Sequence, residues 1–271
     1  MFTTIITDCK GENETGRQVS RFNAYGLGPT TLIGVESTLN DKATIEAGAN
    51  LIDTLDATEG KSGVVIVNSA PRGHVKKDGE NGSSFCYFYY KKTLIISTVG
   101  GYCLSLVKKL GITNKSYLLN TGKVLDFAVS KKLISKNLAE NITRSQFRSF
   151  DFVPRVAKWL TAGLKLPSSR YSFENIPNVP HYVWCIDAFG NAKTTVFADE
   201  ISAKPGQKIK TNLGKFVFYE RLKDIPYGKT GIYIGSSGLG SNRFLEIATQ
   251  GKKGSAQKSL KLKLGGKITI R

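Results

Sequence analysis

The sequence predicts an α/β domain with a largely parallel sheet, followed by a small all-β, barrel-like domain. Three observations predict it. Strand-like and helix-like patterns alternate over residues 1–162, as they do where helices cover a parallel sheet. Within that region, Gly63-Val-Val-Ile-Val67 is a continuous β-branched run behind a helical pattern, which suits a parallel strand buried on both faces. From residue 182 onward the pattern changes to short strands separated by turn residues, with few helical segments. The expected boundaries are an α/β domain at 1–164, a linker at 165–181 and a β-barrel-like domain at 182–271.

Taken in order, residues 3–7 read as a buried first strand that ends at Asp8. Residues 8–25 are polar and punctuated by glycine, and a loop or irregular helix fits them. A second strand follows at 31–35. Ile45, Ala49, Ile52 and Leu55 recur at helical spacing and predict a helix over 43–55. The run at 63–67 is the next strand, and 68–84 is a Gly-rich, charged loop. Residues 84–90 and 93–97 read as a strand pair around Lys91-Lys92. Helices are expected at 99–110, at 126–138 and at 151–160, the last with Pro154 in its first turn. Pro167, Pro177 and Pro180, with several Ser and Asn, mark the linker. The second domain is expected to hold strands at 182–187, 193–197, 207–211, 214–219, 231–235, 243–248 and 266–270.

Composition narrows the function classes. No apolar run reaches the roughly 18 residues that a membrane span needs, and the N-terminus reads as a strand rather than a signal peptide. Cys9, Cys86, Cys103 and Cys185 are far apart and lie in apolar runs, so thiols buried in a cytoplasmic protein are expected. No cysteine pair has zinc spacing and the two histidines are His74 and His181, so no metal site is expected. The net charge of +18 raises the prospect of a nucleic-acid partner. The lysines are mostly dispersed, however. Residues 252–267 form the best local patch, and no aromatic-interleaved motif accompanies it.

The chemistry-bearing stretch is 183–196, Val-Trp-Cys-Ile-Asp-Ala-Phe-Gly-Asn-Ala-Lys-Thr-Thr-Val. Two strand-like runs flank a turn that carries Asp187, Phe189, Gly190 and Asn191. Two readings stand: an ordinary turn, or a turn that presents a carboxylate, an aromatic face and a carboxamide to a nucleoside. In the first domain, Asp8, Asn68 and Ser69 sit at carboxyl ends of strands, where ligands bind in parallel sheets. Gly235-Ser-Ser-Gly-Leu-Gly240 has the glycines of a phosphate loop, but a strand-like run follows it rather than a helix, so a hairpin loop is expected. No Ser-His-Asp arrangement is credible with these histidines.

The run Ile186-Asp-Ala-Phe-Gly-Asn-Ala-Lys-Thr-Thr195 is similar to the I-D-x-F-G-N-x-x-T-N signature of the S-adenosylmethionine (SAM) hydroxide adenosyltransferase and chlorinase–fluorinase family, with Thr195 in place of the last Asn. Other pieces follow in family order. Thr7-Asp8 resembles its opening T-D, and Phe147-Arg-Ser-Phe-Asp151 its F-x-x-R-[DE] stretch. Gly235-Ser-Ser-Gly, then Leu245-Glu-Ile-Ala248 and Gly254-Ser-Ala256, resemble its G-S-x-G, L-E-I-A and G-S-A runs.

The resemblance implies a homotrimer that binds SAM between the N-terminal domain of one subunit and the C-terminal domain of the next. It implies displacement of methionine from the ribose 5′ carbon, with SAM as substrate or ligand and no further cofactor. By position, Asp8 would hold the ribose hydroxyls and Asp187 the methionine amine. Phe189 and Asn191 would contact adenosine, and Ala248, Thr249 and Gln250 would line the adenine pocket. Ser236 and Ser237 would lie near the methionine carboxylate. Ser149 sits where halogenating members place a serine against the nucleophile, and Arg148 and Ser69 complete the expected catalytic set.

The departures fall on the nucleophile side. Water-using members carry D-P-G-V-G-x-x-R and F-H-G-R-D runs. Here the first is Asn68-Ser-Ala-Pro-Arg-Gly73 and the His position is Arg148. The family's P-D-N-G run has become Thr98-Val-Gly-Gly101, and Ser237 replaces an Arg that halogenating members place near the methionine carboxylate. Three functions follow as expectations: a SAM-cleaving enzyme, a catalytically silent relative that binds SAM or adenosine, and a basic nucleic-acid binder that reuses the fold.

Overall fold

The structure, a computed structural model, describes residues 1–36, 42–71, 83–251 and 255–270. Contacts divide the chain into two compact units, Met1–Asn178 and Val179–Arg271.

The first unit is built on a seven-stranded sheet in the order β2-β1-β3-β5-β4-β6-β7. Strands β1 (Phe2–Thr7), β2 (Thr30–Gly34), β3 (Gly63–Asn68) and β5 (Thr93–Thr98) run parallel. Strands β4 (Phe85–Tyr90), β6 (Ser116–Leu119) and β7 (Ser168–Tyr171) continue the sheet antiparallel. The β-branched run became the buried centre: Val64, Val65, Ile66 and Val67 are all fully buried. Val64 and Ile66 join a core that includes Ile5, Phe22, Leu94, Ile96, Phe152 and Val156. Successive strand residues point to opposite faces, so Val65 and Val67 serve the other face, where helix α2 (Lys42–Thr58) packs on β1 and β3.

Several helix boundaries differ from the sequence expectation. Residues Glu12–Ala24, expected as a loop or irregular helix, form the regular helix α1. Its buried stripe holds just Gln18 and Phe22, too thin to register as apolar periodicity. Glu12 and Glu14 in its first turn and Arg21 in its last complement the helix dipole. Over 99–110, the helix is confined to α3 (Ser105–Lys109). The helix expected over 126–138 is instead two, α4 (Thr121–Ser130) and α5 (Lys136–Arg144). Each has its own N-cap: Asn120 accepts from the Lys123 amide at 3.0 Å and Ser135 from the Leu138 amide at 3.2 Å. The helix near 151–160 is a short turn, α6 (Arg148–Asp151), followed by α7 (Val153–Thr161). The Pro-rich stretch at 165–181 contains β7, which pairs with β6 through Ser168 to Tyr171. Its prolines flank that pairing rather than interrupt it, as an edge strand allows.

The second unit is a six-stranded sheet in the order β10-β11-β12-β13-β9-β8. Its strands are β8 (Val183–Ile186), β9 (Ala192–Phe197), β10 (Lys208–Thr211), β11 (Gly214–Tyr219), β12 (Thr230–Leu239) and β13 (Asn242–Thr249). The C-terminal segment ties the two edges together. Lys267 bridges to Tyr182 beside β8, and Ile270 bridges to Thr211 on β10. Alternation along the strands makes two faces. Val183, Ala192, Val196, Ile232, Leu245 and Ile247 share one core. Trp184, Phe197 and Phe244 form an aromatic cluster apart from it, with Phe197 and Phe244 stacked at 4.7 Å. No helix among the described residues is long and apolar enough to cross a membrane.

None of the four thiols is in a disulfide; Cys86 and Cys103 are buried, and Cys9 and Cys185 are half-buried. Burial pushes both the Cys86 and Cys103 thiols up from 9.0 to about 12. Unfolding would release these protons near the ordinary value, so the folded state holds more protons between pH 9 and 12. The stability contributed by the neutral thiols is therefore complete below about pH 9 and falls as pH rises toward 12. Titration with a thiol reagent at about pH 8 is expected to modify Cys9 and Cys185 in the native protein and to reach Cys86 and Cys103 after denaturation. Modification of all four at one rate would contradict this packing.

Candidate functional site

The parallel strands of the first unit end at one edge of the sheet. Thr7 is level with both Gly34 and Asn68, and Val67 is level with Ser97. Asp8, Asn68, Ser69 and Thr98 therefore emerge side by side, where fixed strand ends present polar groups to a ligand. The Asp8 amide donates to the Asn68 carbonyl at 3.3 Å. Asn68 Nδ2 donates to Thr7 Oγ1 at 3.0 Å, and the Cys9 thiol donates to Asp8 Oδ1 at 3.6 Å. Thr98 Oγ1 and Cys103 Sγ both donate to the Ser69 carbonyl, the second at 3.3 Å. After burial and its bond to Thr98, the Cys103 thiol feels the Asp8 charge, which pushes it up further.

Two hydroxyls stand out here. Ser69 Oγ and Ser149 Oγ are buried, and neither has a hydrogen-bond partner among the described residues. A buried hydroxyl without a partner costs about 1–3 kcal/mol, so it marks a place where a ligand or water completes the bonding. Ser149 belongs to α6, which Arg17 and Arg21 hold by stacking their guanidinium groups over Phe150 at 4.5 and 4.0 Å. Arg148 Nη2 donates to the Ser83 carbonyl at 2.8 Å and its guanidinium lies 5.7 Å from the Phe85 ring. Phe85 pairs with Thr98, so Arg148 belongs to the same sheet edge. It also lines a polar cleft of about 770 Å³ with Asn120, Lys123, Arg144 and Ser145.

In the second unit, the 187–191 turn is closed by its own carboxylate. Asp187 Oδ1 accepts from the amides of Phe189 and Asn191, each at 2.9 Å, and Oδ2 accepts from Asn191 Nδ2 at 3.0 Å. Both motif residues are thus structural members of the turn. Gly190 sits at φ +77°, and a Cβ there would lie 2.2 Å from Ser255 Cβ, so glycine is required twice over. This turn leaves the Phe189 ring 82% exposed while Asn191 is buried.

The outer face of the sheet continues from this turn. Tyr233 OH donates to Glu246 Oε2, and the Tyr233 hydroxyl is pushed up by burial, by that bond and by the charges of Glu246 and Asp187. Tyr233 and Glu246 thus form one hydrogen-bonded pair on this face, with the Glu246 carboxylate as its negative charge. Lys193 stands opposite Glu246 in register, and its ammonium donates to Ser237 Oγ at 2.6 Å. Residues 235–240 are not a simple hairpin loop: β12 runs on to Leu239, with a register shift between Ile234 and Gly238. That bulge buries Ser237 and exposes Ser236, whose carbonyl accepts from Arg243 at 2.8 Å. Ala248 is fully buried at the far end of β13. Gln250 follows it, its amide donating to the Lys229 carbonyl at 3.0 Å.

The structure therefore gathers Asp8, Ser69 and Arg148 on the N-terminal edge, with Ser149 one residue on from Arg148 in α6. It gathers Asp187, Asn191 and Ser237 on the C-terminal face. Sequence reasoning missed Lys193, Tyr233 and Glu246. The period-2 alternation of β9, β12 and β13 is the signal that puts them on one face. Of the basic patch, Lys258 and Lys261 lie around the short α8 (Ala256–Ser259), whereas Lys252, Lys253 and Gly254 lie outside the described residues. Arg72, Gly73 and His74 lie outside them too.

Fold and site together define an α/β-plus-β protein with a polar strand-end edge on one domain and a charged outer face on the other. Residues 181–269 match the SAM hydroxide adenosyltransferase C-terminal domain. That stretch, about a third of the chain, is similar to the C-terminal domain of that family. No curated protein is similar to it in sequence. It is similar in structure to an uncharacterized conserved protein from Thermotoga maritima, with a TM-score of 0.67 and 17% identity over 99% of this chain and 100% of that one. A conserved hypothetical protein from Thermus thermophilus is also similar, with a TM-score of 0.61 and 17% identity over 99% of each chain. At that identity the likeness shows the fold alone.

The turn geometry makes a stability prediction. Gly190→Ala is expected to cost about 1–3 kcal/mol through strain and the clash with Ser255. Asp187→Asn, which sets an amide against the Asn191 amide, is expected to cost about 1 kcal/mol. Urea denaturation checks both, and wild-type stability in either variant would refute the account of the turn.

Proposed function

We propose that this protein binds SAM and cleaves it at the ribose 5′ carbon with water as nucleophile. The observation that carries this reading is the family match over 181–269, because that stretch holds the Asp187–Asn191 turn, the Ser236-Ser237 bulge and Ala248. In the reaction, the water oxygen bonds to C5′ as the C5′–S bond breaks. The bond's electron pair goes to sulfur, methionine and adenosine result, and one proton passes to solvent. A sulfonium leaves readily, so the site needs in-line positioning and a partly dehydrated nucleophile more than acid–base power.

The roles follow from that requirement. Asp8 takes the ribose hydroxyls and Asp187 the methionine amine. Phe189, Asn191, Ala248 and Gln250 meet the adenosine, and Ser236 and Ser237 the carboxylate. Ser69 and Ser149, the buried hydroxyls without partners, position the nucleophile beside Arg148. The working form is a homotrimer, in which neighbouring subunits supply the two sets of residues.

A second reading, a silent SAM- or adenosine-binding relative, is favoured by one specific observation. Asn68 and Arg148 stand where water-using members carry Asp and His, and both side chains are engaged, with Thr7 and with the Ser83 carbonyl.

Chromatography of the protein incubated with SAM separates the readings. Adenosine above the uncatalysed background is the expected outcome, with Ser149→Ala lowering the rate about 10-fold or more. Tight SAM binding without adenosine would establish the silent relative, and absence of both would refute the SAM reading.

A further inference from the structure

Among the described residues, the outer face of the second unit presents two donor groups whose hydrogen bonding is incomplete. The Lys193 ammonium has three donors. Its described contacts are one hydrogen bond, to Ser237 Oγ at 2.6 Å, and a stacking approach to the Trp184 ring at 5.6 Å. No ion pair joins it to a carboxylate among the described residues, although Glu246 stands opposite it across the ladder. Glu246 Oε2 is engaged by Tyr233 OH. Trp184 Nε1 is a second such donor: the residue is 4% exposed and this nitrogen has no partner among the described residues. A half-buried ammonium near a buried indole ring whose N–H has no partner among the described residues, held by a hydroxyl of the bulge, is a setting that an anion completes.

We infer that Lys193 binds the α-carboxylate of the ligand, with Ser237 orienting its ammonium, and that this residue makes the face selective for the amino-acid end of SAM over adenosine. The inference rests on the SAM reading and adds a charge to it that Ser236 and Ser237, both neutral, cannot supply. The geometry fits a zwitterion. Glu246, bonded to Tyr233, carries the negative charge of this face, and Lys193 with Ser237 carries the positive one on the adjoining strands. An amine and a carboxylate on one carbon meet opposite charges there. The bulge at 235–237 is what makes room for this. It takes Ser237 out of the regular register, and the hydroxyl lands where the long Lys193 side chain reaches it.

Calorimetric titration of wild type, Lys193→Met and Lys193→Arg with SAM, decarboxylated SAM and adenosine tests the assignment. Lys193→Met is expected to weaken SAM binding about 10- to 100-fold. Its affinity for adenosine and for decarboxylated SAM should stay at the wild-type value, which also shows that the variant is folded. Lys193→Arg is expected to recover most of the SAM affinity. Unchanged SAM affinity in Lys193→Met, or an equal loss for all three ligands, would overturn the assignment and leave the SAM reading standing. Wild-type binding of adenosine without SAM would overturn it as well. Failure of the wild-type protein to bind any of the three would overturn the SAM reading itself.

Discussion

The capture of the 187–191 turn by the Asp187 carboxylate is the interaction on which the C-terminal face depends. Three hydrogen bonds to one side chain fix the turn, and the turn fixes the register in which β9 meets β8. A slip of one residue would reverse every side chain on β9. Lys193 would then enter the core and Ala192 would face outward. The charged face therefore exists because a carboxylate closes a loop just upstream of the strand that displays it. The same carboxylate still makes its charge felt at Tyr233, so its structural and electrostatic roles coincide.

The N-terminal unit depends on a different constraint. Its central parallel strands are buried on both faces, so their polar atoms emerge at the ends. Asp8, Asn68, Ser69 and Thr98 are gathered by that geometry. Burial also explains the chemistry of this edge. It keeps Cys103 neutral, and the thiol donates a hydrogen bond to the Ser69 carbonyl, while the Ser69 hydroxyl has no partner among the described residues. A core that stores unsatisfied donors at one edge gives up some stability to hold a polar ligand there.

Much of this was legible in residues alone. The run at 63–67 announced a doubly buried parallel strand, and the turn residues around Gly190 announced a hairpin. Helix α1 was not legible, because its thin apolar stripe carries little periodic signal. The division between α4 and α5 was written in Asn120 and Ser135, caps that are weaker cues than a continuous apolar face. Strand β7 was hidden by the prolines around it, since an edge strand tolerates them and a sequence reading takes them for a linker.

The sequence by itself determined the two-part fold class, the Asp187–Asn191 turn and the strand-end position of Asp8 and Ser69, because burial patterns and turn chemistry are local properties. The tertiary structure alone decided that Lys193 meets Ser237, that Glu246 bonds to Tyr233 and that the Ser69 and Ser149 hydroxyls are left without partners. Lys193 and Ser237 lie 44 positions apart in sequence. Their meeting is a product of strand order and of one bulge, and neither strand order nor bulge position is encoded in any short stretch of residues.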